Sequence, residues 1–404
     1  MKSTRCLQIC LALCGLLVLS SCSFVPFARI PFNVSLGQPL ELPSAPAPTA
    51  LDSADFNGDG HADLVSIHPA DHQLAFYLGD GRGGFAPFAL VSLAKPVAYA
   101  IRDFNGDGLP DVLILEDETS ELAIVLGDRT QGLAFDRRIA LAPSSDHDHL
   151  LGHPRGMALG DYNGDGAMDV ALAYAEAQLE IFLGDGVGGF VEAEPLDTGL
   201  ARPVLEAFDV DGDGMDDLLA FGNVKSLTEE GQYDGSKLLL FRGQADGFLE
   251  PQELARVISG QAGFILLHDV DGNGYLDPVM WFSGNDTLSV LPSHGGGAFG
   301  KIQNYLVSSA SGATFADLDQ DGDADLITTH ERGQFSLGRM QVFLNAGSLR
   351  FREPKPFITK LGPIDVVSGD FNEDGLPDVA VANFYSNDLT LFFNETVIAG
   401  ESTP

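Results

Sequence analysis

The sequence predicts an all-β chain folded as a seven-bladed β-propeller. Each blade is a four-stranded antiparallel sheet, and an N-terminal strand closes the ring by completing the last blade. Three observations predict it. An acidic nine-residue loop recurs seven times: DFNGDGHAD from Asp55, DFNGDGLPD from Asp103, DYNGDGAMD from Asp161, DVDGDGMDD from Asp209, DVDGNGYLD from Asp269, DLDQDGDAD from Asp317 and DFNEDGLPD from Asp370. The first aspartates lie 48, 58, 48, 60, 48 and 53 residues apart; a period of about 50 that alternates short strands with turns is that of a propeller blade. Each loop runs straight into a short apolar stretch (LVSI, VLIL, VALA, LLAF, PVMW, LITT, VAVA) of strand length.

The elements follow in chain order. Residues 1–22 read as a targeting segment, with Lys2 and Arg5 at its charged start and an apolar core to Leu19 that is too short to span a bilayer. It ends in Leu19-Ser20-Ser21-Cys22, which resembles a bacterial lipobox. That resemblance implies that Cys22 is the lipidated first mature residue. Ser23 after it points, by the sorting habit of such proteins, to the outer membrane rather than the inner. An ordinary cleaved signal peptide with a coincidental cysteine is the alternative. All four cysteines (6, 10, 14 and 22) fall in this segment, so the expected mature domain has no disulfide. The expected organisation is a short tether over 23–31, the propeller over 32–397 and a tail over 398–404. The expected location is the cell envelope, with membrane contact through a lipid anchor only.

Within a repeat, an apolar first strand (AYAIRDF, GMALGDY, GATFADL) precedes the acidic loop and a second strand follows it. A third strand (LAFYLGD, LAIVLGD, LEIFLGD, LLLFRGQ, MQVFLNA) leads to a Gly-rich hairpin. A phenylalanine then opens the fourth, at Phe85, Phe135, Phe190 and Phe299. The last repeat stops after its third strand, at Leu389 to Asn394. The segment Phe32 to Leu42 is expected to supply the missing strand and so remove open sheet edges.

The loops carry the chemistry. The first position is Asp55, Asp103, Asp161, Asp209, Asp269, Asp317 and Asp370; the third is Asn57, Asn105, Asn163, Asp211, Asp271, Asp319 and Asn372. The fifth is Asp59, Asp107, Asp165, Asp213, Asn273, Asp321 and Asp374, and the ninth is Asp63, Asp111, Asp169, Asp217, Asp277, Asp325 and Asp378. Position six is always Gly. Calcium takes six to eight oxygens in a flexible shell, and oxygens from positions one, three and five converge only if the backbone turns sharply, which Gly permits. Position seven (His61, Leu109, Ala167, Met215, Tyr275, Asp323, Leu376) varies freely, as expected of a backbone carbonyl ligand. Up to seven structural Ca²⁺ ions are implied. Magnesium, which demands rigid octahedral sites and keeps its waters, fits less well. For one such loop alone a solvated Asp-Gly turn is the minor alternative; seven in register argue against it.

This D-x-[DN]-x-[DN]-G-x-x-D set, on blades of this kind, resembles the FG-GAP and VCBS repeats, known from the head of integrin α subunits. The resemblance covers about residues 32 to 397 and is nearer the bacterial VCBS style. The FG and GAP segments themselves are reduced, Gly312-Ala313 being a partial echo. It implies a calcium-binding, adhesive propeller.

The net charge is −36, more negative still without Lys2 and Arg5. Of 58 acidic residues, 23 stand at loop positions one, three, five and nine, so much of the acidity belongs to the metal loops. No nucleic-acid partner is expected, since that needs a basic face. The expected protein is monomeric.

Strand parity places the acidic loops and the Gly-rich hairpins on one face. The irregular connections lie on the other, and a ligand is expected there. Its candidate rim is His68, His72, His147, His149, His153, Arg155, His330, Arg332 and Tyr385, with the Glu116-Asp117-Glu118 turn and an insert over 223–236 nearby. The insert SSDHDHLLGHPRG, richest in His, reads first as a polar surface loop, then as a binding rim, and last as a metal or catalytic site. Two G-x-G-x-x-G matches, from Gly79 and from Gly184, precede strands rather than helices and read as hairpin turns, not dinucleotide loops. No catalytic motif is present. The reading is therefore a non-catalytic surface lipoprotein that binds a protein or glycan. The alternatives are a calcium-dependent polysaccharide lyase or hydrolase using His147–His153, and a scaffold subunit of an envelope complex.

Overall fold

The apolar runs behind the acidic loops form the second strand of every blade in the computed structural model. The structure describes residues 25–27 and 32–397, except 117, 118, 120, 131, 141–155, 175, 176, 187, 188, 226–231, 246, 258, 259 and 332. The segment 1–22 with Cys22, the tail 398–404, and rim candidates His147, His149, His153, Arg155 and Arg332 lie outside the described residues.

Seven antiparallel sheets follow one another along the chain. Blade one comprises Ala50–Ala54, Asp63–His68, Gln73–Gly79 and Phe85–Ser92. Blade two comprises Pro96–Arg102, Asp111–Glu116, Glu121–Asp128 and Gly132–Ala140. Blade three has Gly156–Gly160, Asp169–Ala173 and Gln178–Gly184, and its outer strand is broken into Phe190–Glu192 and Leu196–Asp197. Blade four has Leu200–Phe208, Asp217–Lys225, Tyr233–Phe241 and Gln252–Val257, with a small hairpin Gly243–Gln244/Gly247–Phe248. Blade five is Gln261–His268, Asp277–Ser283, Thr287–Val290 and Gln303–Leu306, and blade six Ala310–Ala316, Asp325–His330, Leu337–Phe343 and Lys355–Leu361. Blade seven has Pro363–Gly369, Asp378–Asn383 and Asp388–Phe392 from the C-terminal end, and Leu40–Pro43 from the N-terminal end.

The closing strand pairs Leu40 with Leu391 and Leu42 with Leu389. A bridge between Leu36 and Asn394 extends it. The expected clasp is thus present. Two expectations are corrected: Phe135 stands inside its outer strand, which starts at Gly132, and Phe299 does not open the outer strand of blade five. It bridges Ser293 inside the hairpin, and the strand starts at Gln303. Three consecutive glycines with positive φ, Gly295 to Gly297, turn the chain back on itself before the outer strand can begin. Within the expected tether, residues 25–27 lie on the ring. Val25 donates its N–H to the Asn304 carbonyl at 2.9 Å, and the Phe27 ring meets Phe343.

First strands of neighbouring blades contact one another, so they are innermost around the axis. Among the described residues, the buried apolar side chains form seven clusters, one in each gap between adjacent blades. Burying one such side chain fully is worth about 1.5–3 kcal/mol. The stability of the ring is therefore lodged between blades.

Candidate metal loops and the opposite face

Each acidic loop joins the innermost strand to the second strand, and the same local network holds it in every blade. The first-position carboxylate accepts the backbone N–H of the position-six glycine at 2.7–2.9 Å in all seven loops. The fifth-position side chain accepts the N–H of position seven, from His61 to Leu376. That explains why position seven tolerates any side chain: its backbone is what is held. The position-six glycines have φ of +84° to +93°, as the turn requires. Position four is also left-handed, at +69° in Gly58 and at +53° and +55° in Gln320 and Glu373, where no glycine is present.

Two further roles were not read from the sequence. The second residue of each loop (Phe56, Phe104, Tyr162, Val210, Val270, Leu318, Phe371) is a wedge in the core between its own blade and the next. The signal was there, since the position is apolar or aromatic throughout. The ninth aspartate is a latch. One of its oxygens accepts the N–H of position two. The other accepts an N–H at the end of the third strand. In blade one these are Phe56 at 3.1 Å and Gly79 at 2.9 Å; in blade seven, Phe371 at 3.1 Å and Asn394 at 2.7 Å. The other five blades repeat it. Burial pushes these carboxyls up, to about 6 at Asp63, Asp169, Asp217, Asp277 and Asp378 and to about 8 at Asp325. Asp111 moves in the same direction for the same reason.

The third position separates the loops into two sets. Where it is Asn, in Asn57, Asn105, Asn163 and Asn372, the amide oxygen accepts the N–H of position five and the amide nitrogen donates to the position-five carboxylate. Where it is Asp, buried carboxylate oxygens have no hydrogen bond: Oδ1 of Asp211, Oδ1 of Asp271 and both oxygens of Asp319. A buried carboxylate oxygen without a partner is costly, and a cation relieves it. Carboxylate oxygens of Asp209, Asp211 and Asp213, of Asp269, Asp271 and Asp277, and of Asp317, Asp319 and Asp325 lie within 4.8 Å of one another. The residues present fit a divalent cation with oxygen ligands.

The face away from the loops is different. His68 and His330, expected on a ligand rim, are corrected to structural roles. Both are buried at the end of a second strand. His68 meets Ser66 Oγ at 2.8 Å and the Pro46 carbonyl at 3.0 Å; His330 meets Thr328 Oγ1 at 2.7 Å and the Ser308 carbonyl at 2.5 Å. Burial lowers the pKa of each. Glu116 is likewise buried and takes Arg138 in a two-pronged contact at 2.6 and 2.9 Å. His72 is exposed, with a left-handed backbone after a 3₁₀ turn. Tyr385 stays partly exposed beside Phe384, and the Glu331 carboxylate raises its phenol.

No motif announces a cavity of about 520 Å³ on the axis, at the loop end of the innermost strands, which reaches Arg102, Glu206, Asp216, His268 and Thr314. Burial pushes Glu206 up to about 7. Both G-x-G-x-x-G stretches are hairpins: Asp80 Oδ1 accepts the N–H groups of Arg82 and Gly84 at 2.8 Å, and Asp185 Oδ1 that of Gly189 at 2.7 Å.

A family model described as "FG-GAP-like repeat" matches residues 55–114, 103–172, 161–220 and 269–328. The chain belongs to this family. No curated relative matches it. Among solved structures, BBS1N, crystallised in complex with ARL6DN and soaked with mercury, is similar over 91% of this chain and 99% of its own, at 13% identity and TM-score 0.61. An Agrocybe aegerita lectin, solved for its specific recognition of non-reducing terminal N-acetylglucosamine, is similar over 84% of this chain and 86% of its own, at 18% identity and TM-score 0.54. At these identities the likeness concerns the fold. FG-GAP propellers are typically non-catalytic, and the fold fits a propeller of the binding type.

Proposed function

We propose that this FG-GAP propeller is a non-catalytic binding module, stiffened by calcium in its acidic loops, that presents the face opposite those loops to a protein or glycan. The observation that carries this reading is the use of the loops. Each supplies a wedge in the core between blades and a buried latch within its own blade, which makes it a fastener and leaves recognition to the other end of the strands. Calcium is the cation favoured by the all-oxygen donors and by the pliant nine-residue frame. The two structural neighbours, one seen with a protein and one specific for a sugar, support both ligand classes on this architecture. Export and lipidation at Cys22 complete the proposal and place the ring close to a membrane.

The test uses chain 23–404, screened against immobilised glycans in calcium and in chelator, with His72→Ala and Tyr385→Ala as opposite-face variants. Calcium-dependent binding lost in either variant supports the reading. Turnover of a polysaccharide that His147→Ala or His149→Ala abolishes would replace it with the lyase or hydrolase reading.

A further inference from the structure

The seven loops are not equally charged in their ligand positions. Five carry three aspartates over positions one, three, five and nine; loops four and six carry four. In each of these two loops an arginine pairs with a ligand-position carboxylate. Arg242 Nη1 pairs with Asp211 Oδ2. Arg352 places Nη1 3.6 Å from Asp319 Oδ2 and Nη2 4.0 Å from Asp321 Oδ2. Among the described residues, no other carboxylate at these four loop positions pairs with an arginine or lysine.

The two arginines are not copies of one repeat residue. Arg242 directly precedes the latched Gly243 at the end of the third strand, where blades one, two and three have a leucine. Arg352 follows Phe351, on the far side of the blade-six hairpin. What they share is the loop with the extra aspartate, so the correlation is with charge and not with descent of a position. The geometry also leaves room for a metal. Arg242 takes Asp211 Oδ2, while Oδ1 of the same carboxylate remains buried without a hydrogen bond.

We propose that Arg242 and Arg352 are built-in counter-charges. Each offsets the extra carboxylate that its loop carries over positions one, three, five and nine, holds the position-three aspartate in place, and lowers the affinity of that loop for calcium. They are positioning residues. The inference rests on the calcium reading for its last part only; charge compensation acts in the metal-free protein as well.

The experiment compares Arg242→Gln, Arg242→Lys, Asp211→Asn and the double variant Asp211→Asn/Arg242→Gln with the unaltered chain. Melting is read in excess chelator and in saturating Ca²⁺, and calcium affinity by competition with a chromophoric chelator. Arg242→Gln is expected to melt several degrees lower in chelator, to gain more from calcium, and to show one tightened site. Arg242→Lys keeps most of the metal-free stability. The double variant, whose loop then matches those with Asn at position three, returns to near the unaltered melting point. Arg242→Gln melting like the unaltered protein in chelator overturns the proposal, as does a double variant as unstable as Arg242→Gln alone. If Arg242→Gln does not fold, the double variant and Arg242→Lys decide it: both folding supports compensation, and neither folding overturns it. A melting point indifferent to calcium in every variant, with the charge pattern intact in chelator, removes the calcium reading and leaves the counter-charges standing.

Discussion

Asp63 is completely buried, and its two oxygens take the N–H groups of Phe56 and Gly79. Asp63→Ala strands both donors inside the protein. An unsatisfied buried donor costs about 1–3 kcal/mol, so the substitution should cost about 2–6 kcal/mol. Unfolding entropy of about 2.1 cal/mol/K per residue converts this, for a ring of this length melting as one unit, to a fall of roughly 3–8 °C. Asp63→Asn keeps one acceptor and should lose about half as much. Asp59 provides the contrast: it is exposed, and its side chain meets only the His61 N–H and the Asn57 amide. Asp59→Ala should therefore matter in calcium and little in chelator, whereas Asp63→Ala should be destabilised in both. Differential scanning fluorimetry of the three variants with and without chelator reads this directly. The latch argument is refuted if Asp63→Ala in chelator melts within a degree of the unaltered protein.

Removing divalent cations should lower the melting temperature, with calcium restoring it better than magnesium, because a ligand bound only to the folded state stabilises it by mass action; an unchanged curve in excess chelator removes the cation from the account. The raised carboxyls give the metal-free protein a pH dependence. Folded values of about 6 at five of the ninth aspartates, against about 3.9 unfolded, mean that the folded state holds protons more tightly. Its stability is then greatest below about pH 4 from these groups and is lost as pH rises towards about 6 and beyond. Melting of metal-stripped protein from pH 5 to pH 8 should show that decline, and saturating calcium should flatten it. Gly79→Ala should be strongly destabilising, since a Cβ there meets the Ala62 carbonyl oxygen at 2.2 Å, while Gly156→Ala, with its nearest contact at 3.4 Å, should melt almost as the unaltered chain; equal melting points would show that the backbone gives way at Gly79.

The fold was legible because period, turn residues and apolar alternation all act locally. The candidate site was legible in its residue types and less so in their use. Asp63 looks like a metal ligand from its spacing, yet its hydrogen-bond partner Gly79 lies 16 residues on, and nothing in the identity of a glycine announces a donor. Gln320 and Glu373 hide the left-handed turn that glycine marks in the other loops. Strand parity puts His68 and His330 on the irregular face, but each follows a Ser or Thr two residues earlier whose hydroxyl pairs with its Nε2 in the interior. The arginines at loops four and six are invisible without coordinates, since each approaches its loop from a different part of the blade.

The clasp has a consequence for the order of events. Ser35 donates its N–H to Thr396 Oγ1 across 361 residues. Strand Leu40–Pro43, among the first stretches of the ring to be made, finds its partner only when the last blade exists. Closing so long a span costs little more than closing a short one, because the entropy grows with the logarithm of length, but such distant pairing is slow. Until then the incomplete ring ends in a bare edge at Asp388–Phe392, ready to pair with another chain. The strand synthesised first is thus the last one able to pair.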